Sequence, residues 1–270
     1  MNRAGAKAAK LRQLIPLIVR EPGELYDRIL TKFETRADRQ RQQSYEYAPI
    51  SFSEGLARLS GMLEIEAETI LGEEAFGMVS QSIGEGIERL RTAGPFAPAH
   101  NGDVALGSIA YYVCRALRPE VVIETGVAYG VTSTCLLQAL AQNGTGGLWS
   151  IDLPPLGRDA AAHVGTLVPA SLRDRWQLNR GVSRRLLPRV LAQLGRVDVF
   201  IHDSLHTYSN MLWEFETIWP VLAPGGMLIA DDAGDNGAFA DFASKVSPAC
   251  ALVIQEEGKS SLCGVLQKPR

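Results

Sequence analysis

The sequence predicts an α/β protein: a doubly wound, mostly parallel, seven-stranded sheet with an N-terminal helical extension. Three observations lead there. Beyond about residue 100, short continuous apolar runs alternate with helical segments, the mark of strands buried on both faces of a parallel sheet. The last two runs are joined by only a short turn and must be antiparallel to each other. Before residue 100 the chain shows helical periodicity and no strand alternation.

Taken in order, helices are expected over 5–20, 23–43, 53–61 and 64–93. Glu21-Pro22 and Ser53-Glu54 supply starts. In the last of these segments Ile70, Leu71, Ala75, Met78, Val79, Ile83, Ile87 and Leu90 form one apolar face. Gly94-Pro95-Phe96-Ala97-Pro98 breaks the pattern and divides a helical region, 1–98, from a second domain, 99–270. There a helix over 104–117 leads to the strand 121–123. A helix over 132–142, a strand over 148–151, a helix over 159–167 and a strand over 176–179 follow. A helix over 183–194 precedes the strand 197–202, and a helix over 209–222 precedes the strand 227–230. Strands over 251–255 and 262–267 flank Gly258-Lys259-Ser260.

Composition narrows the partners. A net charge of -3 gives no bulk attraction to nucleic acid or an anionic membrane. The basic residues between Arg3 and Arg41 are interleaved with Glu21, Glu24, Asp27, Glu34 and Asp38 and read as solvated helix faces. Cys114, Cys135, Cys250 and Cys263 form no metal-ligand spacing and sit among apolar residues. The apolar stretch 14–19 is too short to span a bilayer and lacks a signal-peptide cleavage pattern, so a cytoplasmic location is expected.

Ligands of such sheets gather beyond the carboxyl ends of the strands. The first strand ends in Glu124-Thr125-Gly126-Val127-Ala128-Tyr129-Gly130-Val131-Thr132, where Gly126 permits a sharp turn and Gly130 a close backbone approach. The second ends in Asp152, a carboxylate suited to ribose hydroxyls. Dinucleotide enzymes share that pair of signals, but the phosphate-binding GxGxxG is absent, and so is a P-loop.

Glu124-Thr125-Gly126 resembles the acidic-x-Gly opening of S-adenosylmethionine-dependent methyltransferases of the Rossmann-like class, with Ala128 in place of the usual middle glycine. A parallel sheet closed by one antiparallel hairpin is their pattern. The resemblance implies the cofactor's methionine part beside Glu124 and Gly126, with Gly130 at the helix start, its ribose on Asp152, and its carboxylate near Thr132. It implies the adenine near Ser183, in Arg180-Gly181-Val182-Ser183.

The fourth and fifth of these strands end in Asp203 and in Asp231-Asp232, bringing three carboxylates together. Like charges that close raise one another's pKa, a conflict a divalent cation resolves; an all-oxygen set suits Mg²⁺ or Mn²⁺. Asp203-Ser204-Leu205-His206 and Pro224-Gly225-Gly226 resemble catechol-type and, more closely, macrolide-sugar (mycinamicin-type) O-methyltransferases. That resemblance implies Asp203, Asp231 and Asp232 as metal ligands and His206 as general base, where the catechol enzymes carry lysine. Without it, Asp203 or His206 could cap the next helix, and Asp231-Asp232 could be a solvated turn. His202 is expected to be buried, Asp235 and Asn236 to be alternates in the metal shell, and His100 and His163 to be loop or helix-face residues. Trp213, Phe215 and Trp219 are expected as core aromatics.

The expected activity is metal-assisted O-methylation of a small hydroxylated molecule such as a sugar or natural-product intermediate. The N-terminal helices would serve as lid, substrate wall or homo-oligomer contact. The rivals are a metal-independent methyltransferase acting on nitrogen or carbon, a non-catalytic protein retaining the fold, and a nicotinamide oxidoreductase.

Overall fold

The computed structural model describes residues 14, 17–19, 21–41, 45–91, 94, 96, 104–156 and 159–270, and of 39–41 the backbone alone. Most of the helix expected over 5–20 lies outside the described residues, as do His100 and Pro95, Ala97 and Pro98 of the expected boundary.

The elements run α1 Pro22–Arg41, β1 Ile50–Ser51, α2 Phe52–Leu63, α3 Ala67–Leu71, α4 Glu74–Leu90, α5 Val104–Leu117, β2 Val121–Thr125, α6 Val131–Asn143, β3 Gly147–Asp152 and α7 Ala160–His163. They continue β4 Trp176–Arg180, α8 Ser183–Leu194, β5 Val197–His202, α9 Tyr208–Ile218, β6 Leu222–Ala230, α10 Ala238–Val246, β7 Cys250–Gln255 and β8 Leu262–Gln267. The sheet order is β1-β7-β8-β6-β5-β2-β3-β4, with β8 antiparallel to both its neighbours and every other pair parallel.

Eight strands therefore replace the expected seven. The extra one, β1, pairs Ile50 with Ile254 at the sheet edge and is too short for any periodicity to reveal. The single helix expected over 64–93 is two, because Glu73 takes an extended conformation and turns its carboxylate to Arg115 and Tyr111 on α5. Ser51, not Ser53, caps α2, accepting from the Glu54 N–H at 3.2 Å. Pro224-Gly225-Gly226 lies within β6 rather than before it: the β5–β6 register shifts there, and a Cβ at Gly226 would stand 2.7 Å from the Asp198 carbonyl. The sequence reading missed α10, although Phe239 and Phe242, three apart, bury its inner face. The helix expected over 159–167 is only the four-residue α7.

Side chains alternate between two apolar layers. Val122, Val199, Ile201 and Ile229 pack with α5 and α6, and with Leu59, Ala67 and Ile70 of α2 and α3. Ile123, Phe200 and Leu228 pack with Leu187, Phe215 and Phe239 of α8, α9 and α10. The helical region thus shares the core of the sheet. Phe215 is fully buried, while Trp213 and Trp219 are half-buried against the second layer. Cys114, Cys135 and Cys263 are buried and Cys250 is half-buried. Among the described residues no helix is long and apolar enough to cross a membrane.

Candidate active site

The chain enters and leaves β2 between β5 and β3, so a crevice opens at the carboxyl ends of these strands. The hydrogen-bond ladder runs one residue beyond them. Gly126 donates its N–H to the Ile151 carbonyl, Asp203 to Thr125 and Asp231 to His202, each at 2.8 Å. These residues are thereby fixed by neighbouring main chain. Gly126 has φ +86°, and a Cβ on it would lie 1.7 Å from the Asp203 carbonyl oxygen. Only glycine allows the two strand ends to meet this closely.

Over the crevice lies a cavity of about 640 Å³. Its walls include Gly126, Val127, Ala128, Asp152, Ser183, Asp203, His206, Asp231 and Asp232. Seven of the sequence-predicted residues therefore share one space: Gly126, Asp152, Ser183, Asp203, His206, Asp231 and Asp232. Glu124, Gly130 and Thr132 do not line it. Glu124 lies one layer behind Gly126, where one carboxyl oxygen accepts from Ser133 at 2.6 Å and Ser150 at 2.7 Å. Burial pushes its pKa up to about 7. Gly130 and Thr132 are covered because Gly165 and Leu167 donate to the carbonyls of Ala128 and Tyr129, at 2.9 Å each.

Asp152 uses Oδ1 to accept the Val127 N–H at 3.0 Å, while the buried Oδ2 has no partner. Oδ2 is thus available to a ligand. Glu124 Oε1, Thr132 Oγ1, His202 Nε2 and His206 Nε2 are likewise buried without a hydrogen-bond partner. Unsatisfied buried polar atoms are rare in folded proteins and call for an explanation. Two of the five, on Asp152 and His206, belong to residues that line the cavity.

Asp203, His206 and Asp231 bring a ligating atom each within 4.8 Å of one another. Burial, the Asp231 carboxylate and the Glu124 charge raise the Asp203 pKa well above the ordinary carboxylate value. Asp232, expected as a third acid of that set, stands elsewhere. Its φ of +46° turns it so that Oδ2 meets His206 Nδ1 at 3.2 Å. It groups with His206 and Asp235. Burial alone would lower the His206 pKa; the bond to Asp232 and the charges of Asp231, Asp232 and Asp235 outweigh it and hold it above the usual value. Asn236 is not an alternate ligand: its amide donates to the His206 carbonyl at 3.3 Å and its oxygen caps α10 through the Ala238 N–H. His163 contacts the Asp159 carbonyl on α7, away from the cavity walls.

Two sets of residues escaped the sequence reading. Buried Glu214 accepts from Thr125 Oγ1 at 2.7 Å, Ser204 Oγ at 2.9 Å and Asn210 Nδ2 at 3.1 Å, and meets His202 Nδ1 at 2.6 Å. Burial opposes its charge, but these partners hold its pKa down at about 2. Burial also lowers the pKa of His202, as expected for a strand histidine with no solvent exposure. The second set is α1, whose Asp27, Leu30, Thr31 and Glu34 line the cavity. The acids taken from sequence for a solvated face are turned inward. Glu24 pairs with Arg180 at 3.0 Å and Arg28 at 2.7 Å, Asp27 with Arg185 at 2.6 Å, and Glu34 with Arg184 at 3.3 Å. Asp38 accepts the Tyr208 N–H. Their helical spacing along Glu24, Asp27, Thr31, Glu34 and Asp38 was the signal for a docked face.

Residues 123–233 match a family described as a methyltransferase domain. No curated protein sequence matches the chain. Among solved structures, it is similar to the O-methyltransferase from Bacillus cereus in complex with S-adenosylhomocysteine. That match has a TM-score of 0.54 and 16% identity and covers 70% of this chain and 91% of the other. It is also similar to the O-methyltransferase TomG from Streptomyces achromogenes, involved in tomaymycin synthesis and solved with S-adenosylmethionine. There the TM-score is 0.51 and the identity 16%, with 80% and 96% covered. A third is the S-adenosylhomocysteine-bound methyltransferase PaMTH1 of Podospora anserina, with a TM-score of 0.52 and 14% identity, covering 83% and 99%. At these identities the likeness concerns the fold. The stretch that matches a methyltransferase domain spans the crevice, and the fold is the one these solved methyltransferases share.

Proposed function

We propose that the protein transfers the methyl group of S-adenosylmethionine to a hydroxyl of a small molecule, assisted by Mg²⁺ or Mn²⁺ held by Asp203 and Asp231. The observation that carries this reading is the convergence of Asp203, His206 and Asp231 in the cavity that also exposes Gly126 and the unpartnered Oδ2 of Asp152. Two carboxylates forced together, with the Asp203 pKa raised and no cysteine beside them, suit a hard divalent cation.

When bound, the sulfonium cofactor supplies an electrophilic methyl group, and the cation supplies positive charge that orients a hydroxyl and makes it more acidic. The chain's residues do the rest. Asp152 Oδ2 accepts from a ribose hydroxyl, and Gly126 lets the backbone approach without a side chain in the way. Ser183 lies on the wall where the resemblance puts the adenine. His206 Nε2 takes the proton of the acceptor hydroxyl, while Asp232 holds Nδ1 and so fixes the ring. Bound S-adenosylmethionine would supply its methyl group to the acceptor oxygen and leave as S-adenosylhomocysteine, a displacement for which Asp152, Gly126 and His206 would align the reactants. The acceptor in this reading is a small hydroxylated molecule, such as a sugar or natural-product intermediate.

Thermal stability with S-adenosylhomocysteine, with and without Mg²⁺, tests the proposal. At about 100 times Kd the ligand should add about 2.7 kcal/mol, with a further gain from Mg²⁺. Product from a panel of hydroxylated acceptors, read as a methyl mass shift, should vanish in EDTA. Full activity in EDTA would remove the cation and favour a metal-independent transfer to nitrogen or carbon.

A further inference from the structure

Charge is unevenly divided along the chain. Residues 1–41 hold ten basic and five acidic residues, whereas the rest holds seventeen basic and twenty-five acidic. The structure sorts the two signs again within α1. Four of the five acids, Glu24, Asp27, Glu34 and Asp38, are spent on contacts with the body of the protein. Lys32 and Arg36 are exposed. So are Tyr26 (62%), Ile29 (45%), Leu30 (45%) and Phe33 (67%); Tyr26, Ile29 and Phe33 lie on the side of the helix away from the docked acids, and Leu30 at the edge between the two sides. An ordinary surface helix buries its apolar stripe and wets its charges. This helix does the reverse.

We infer that the outward face of α1 docks on the surface of an anionic lipid bilayer. Exposed aromatic and aliphatic side chains flanked by lysine and arginine are the composition of a helix lying in the headgroup plane. Tyr26 and Phe33 would enter the acyl boundary while Lys32 and Arg36 meet anionic headgroups. Charge argues against the same face pairing with a second copy. A two-fold contact centred on this stripe would bring Lys32 and Arg36 toward their own equivalents, with the helix's acids already engaged on the other side. The bilayer would be touched and not crossed, as no described helix can span it. Leu30 belongs both to the exposed stripe and to the cavity wall, so docking would set the mouth of the cavity against the headgroup layer. This inference stands independently of the proposed reaction.

Flotation of the full-length protein with phosphatidylcholine vesicles, with and without phosphatidylglycerol, tests it. Binding at least about tenfold tighter to the anionic vesicles is expected, weakening as salt is raised. The double variant Ile29→Ser/Phe33→Ser should lose vesicle binding yet melt as the parent does and keep its response to S-adenosylhomocysteine, since both side chains are exposed and off the cavity. Lys32→Glu/Arg36→Glu should lose the preference for anionic lipid. Absence of vesicle binding overturns the inference, as does binding that the Ile29/Phe33 variant retains. A concentration-dependent dimer that the same variant abolishes, without lipid binding, overturns it in favour of a second copy.

Discussion

His206 carries opposing influences on one ring. Burial disfavours its charge, the bond to Asp232 and three nearby acids favour it, and the acids win. The Asp232→Asn change removes one charge and weakens that bond, so the His206 pKa should fall and the acid limb of the pH–rate profile should move to lower pH. A limb that stays in place would mean His206 is not the base. His206→Ala should reduce turnover by roughly 10²–10⁴-fold while the melting shift with S-adenosylhomocysteine persists. Gly126→Ala is a different kind of change, because the added methyl meets the Asp203 carbonyl and the backbone is left-handed there. It should lower the melting temperature and abolish the ligand response together. Asp203 and Asp231 were legible in the sequence because each ends an apolar run, which fixes its place at a strand end. The pairing of Asp232 with His206 was not, since it depends on one left-handed residue turning the side chain away from its neighbour.

At the scale of elements, α1 is a clamp across the site, fastened by Arg180, Arg184 and Arg185 at the start of α8 and just before it. Burial opposes the charge of Glu24, but its bonds to Arg180 and Arg28 prevail and set its pKa below the ordinary value. A depressed carboxylate pKa stabilises the docked helix above the unfolded value of about 4.3. That contribution is lost as pH falls through the folded value. Amide exchange over residues 22–38 should therefore accelerate in acid before exchange in β2 and β5 does. Arg180→Ala should loosen the same segment at neutral pH by about 1.5–3 kcal/mol, and an unchanged exchange rate there would show that the pair contributes nothing. The parallel strands were readable because burial on both faces leaves unbroken apolar runs. The docking of α1 was not, because acids that face arginines look in sequence like acids that face water; only their recurrence every three or four residues distinguished them.

At the scale of the molecule, the expected division near residue 98 is not a division of the core. Leu59, Ala67 and Ile70 pack in the same layer as α5 and α6, and β1 completes the sheet beside β7. Residues 99–270 made alone should expose that layer and melt well below the full-length protein, which should unfold in one cooperative transition by calorimetry. Two separate transitions would restore the two-domain picture. Topology was legible in the order of its elements, apart from the edge strand, too short to show a period, and α10, where Phe239 and Phe242 mark one buried face within only nine residues. The rungs that continue past the ends of β2, β5 and β6 have a consequence of their own. Machinery bolted to the frame in this way need not be re-tuned when the trim around it changes. Loops and the covering helix can change without moving the strand-end residues that line the crevice.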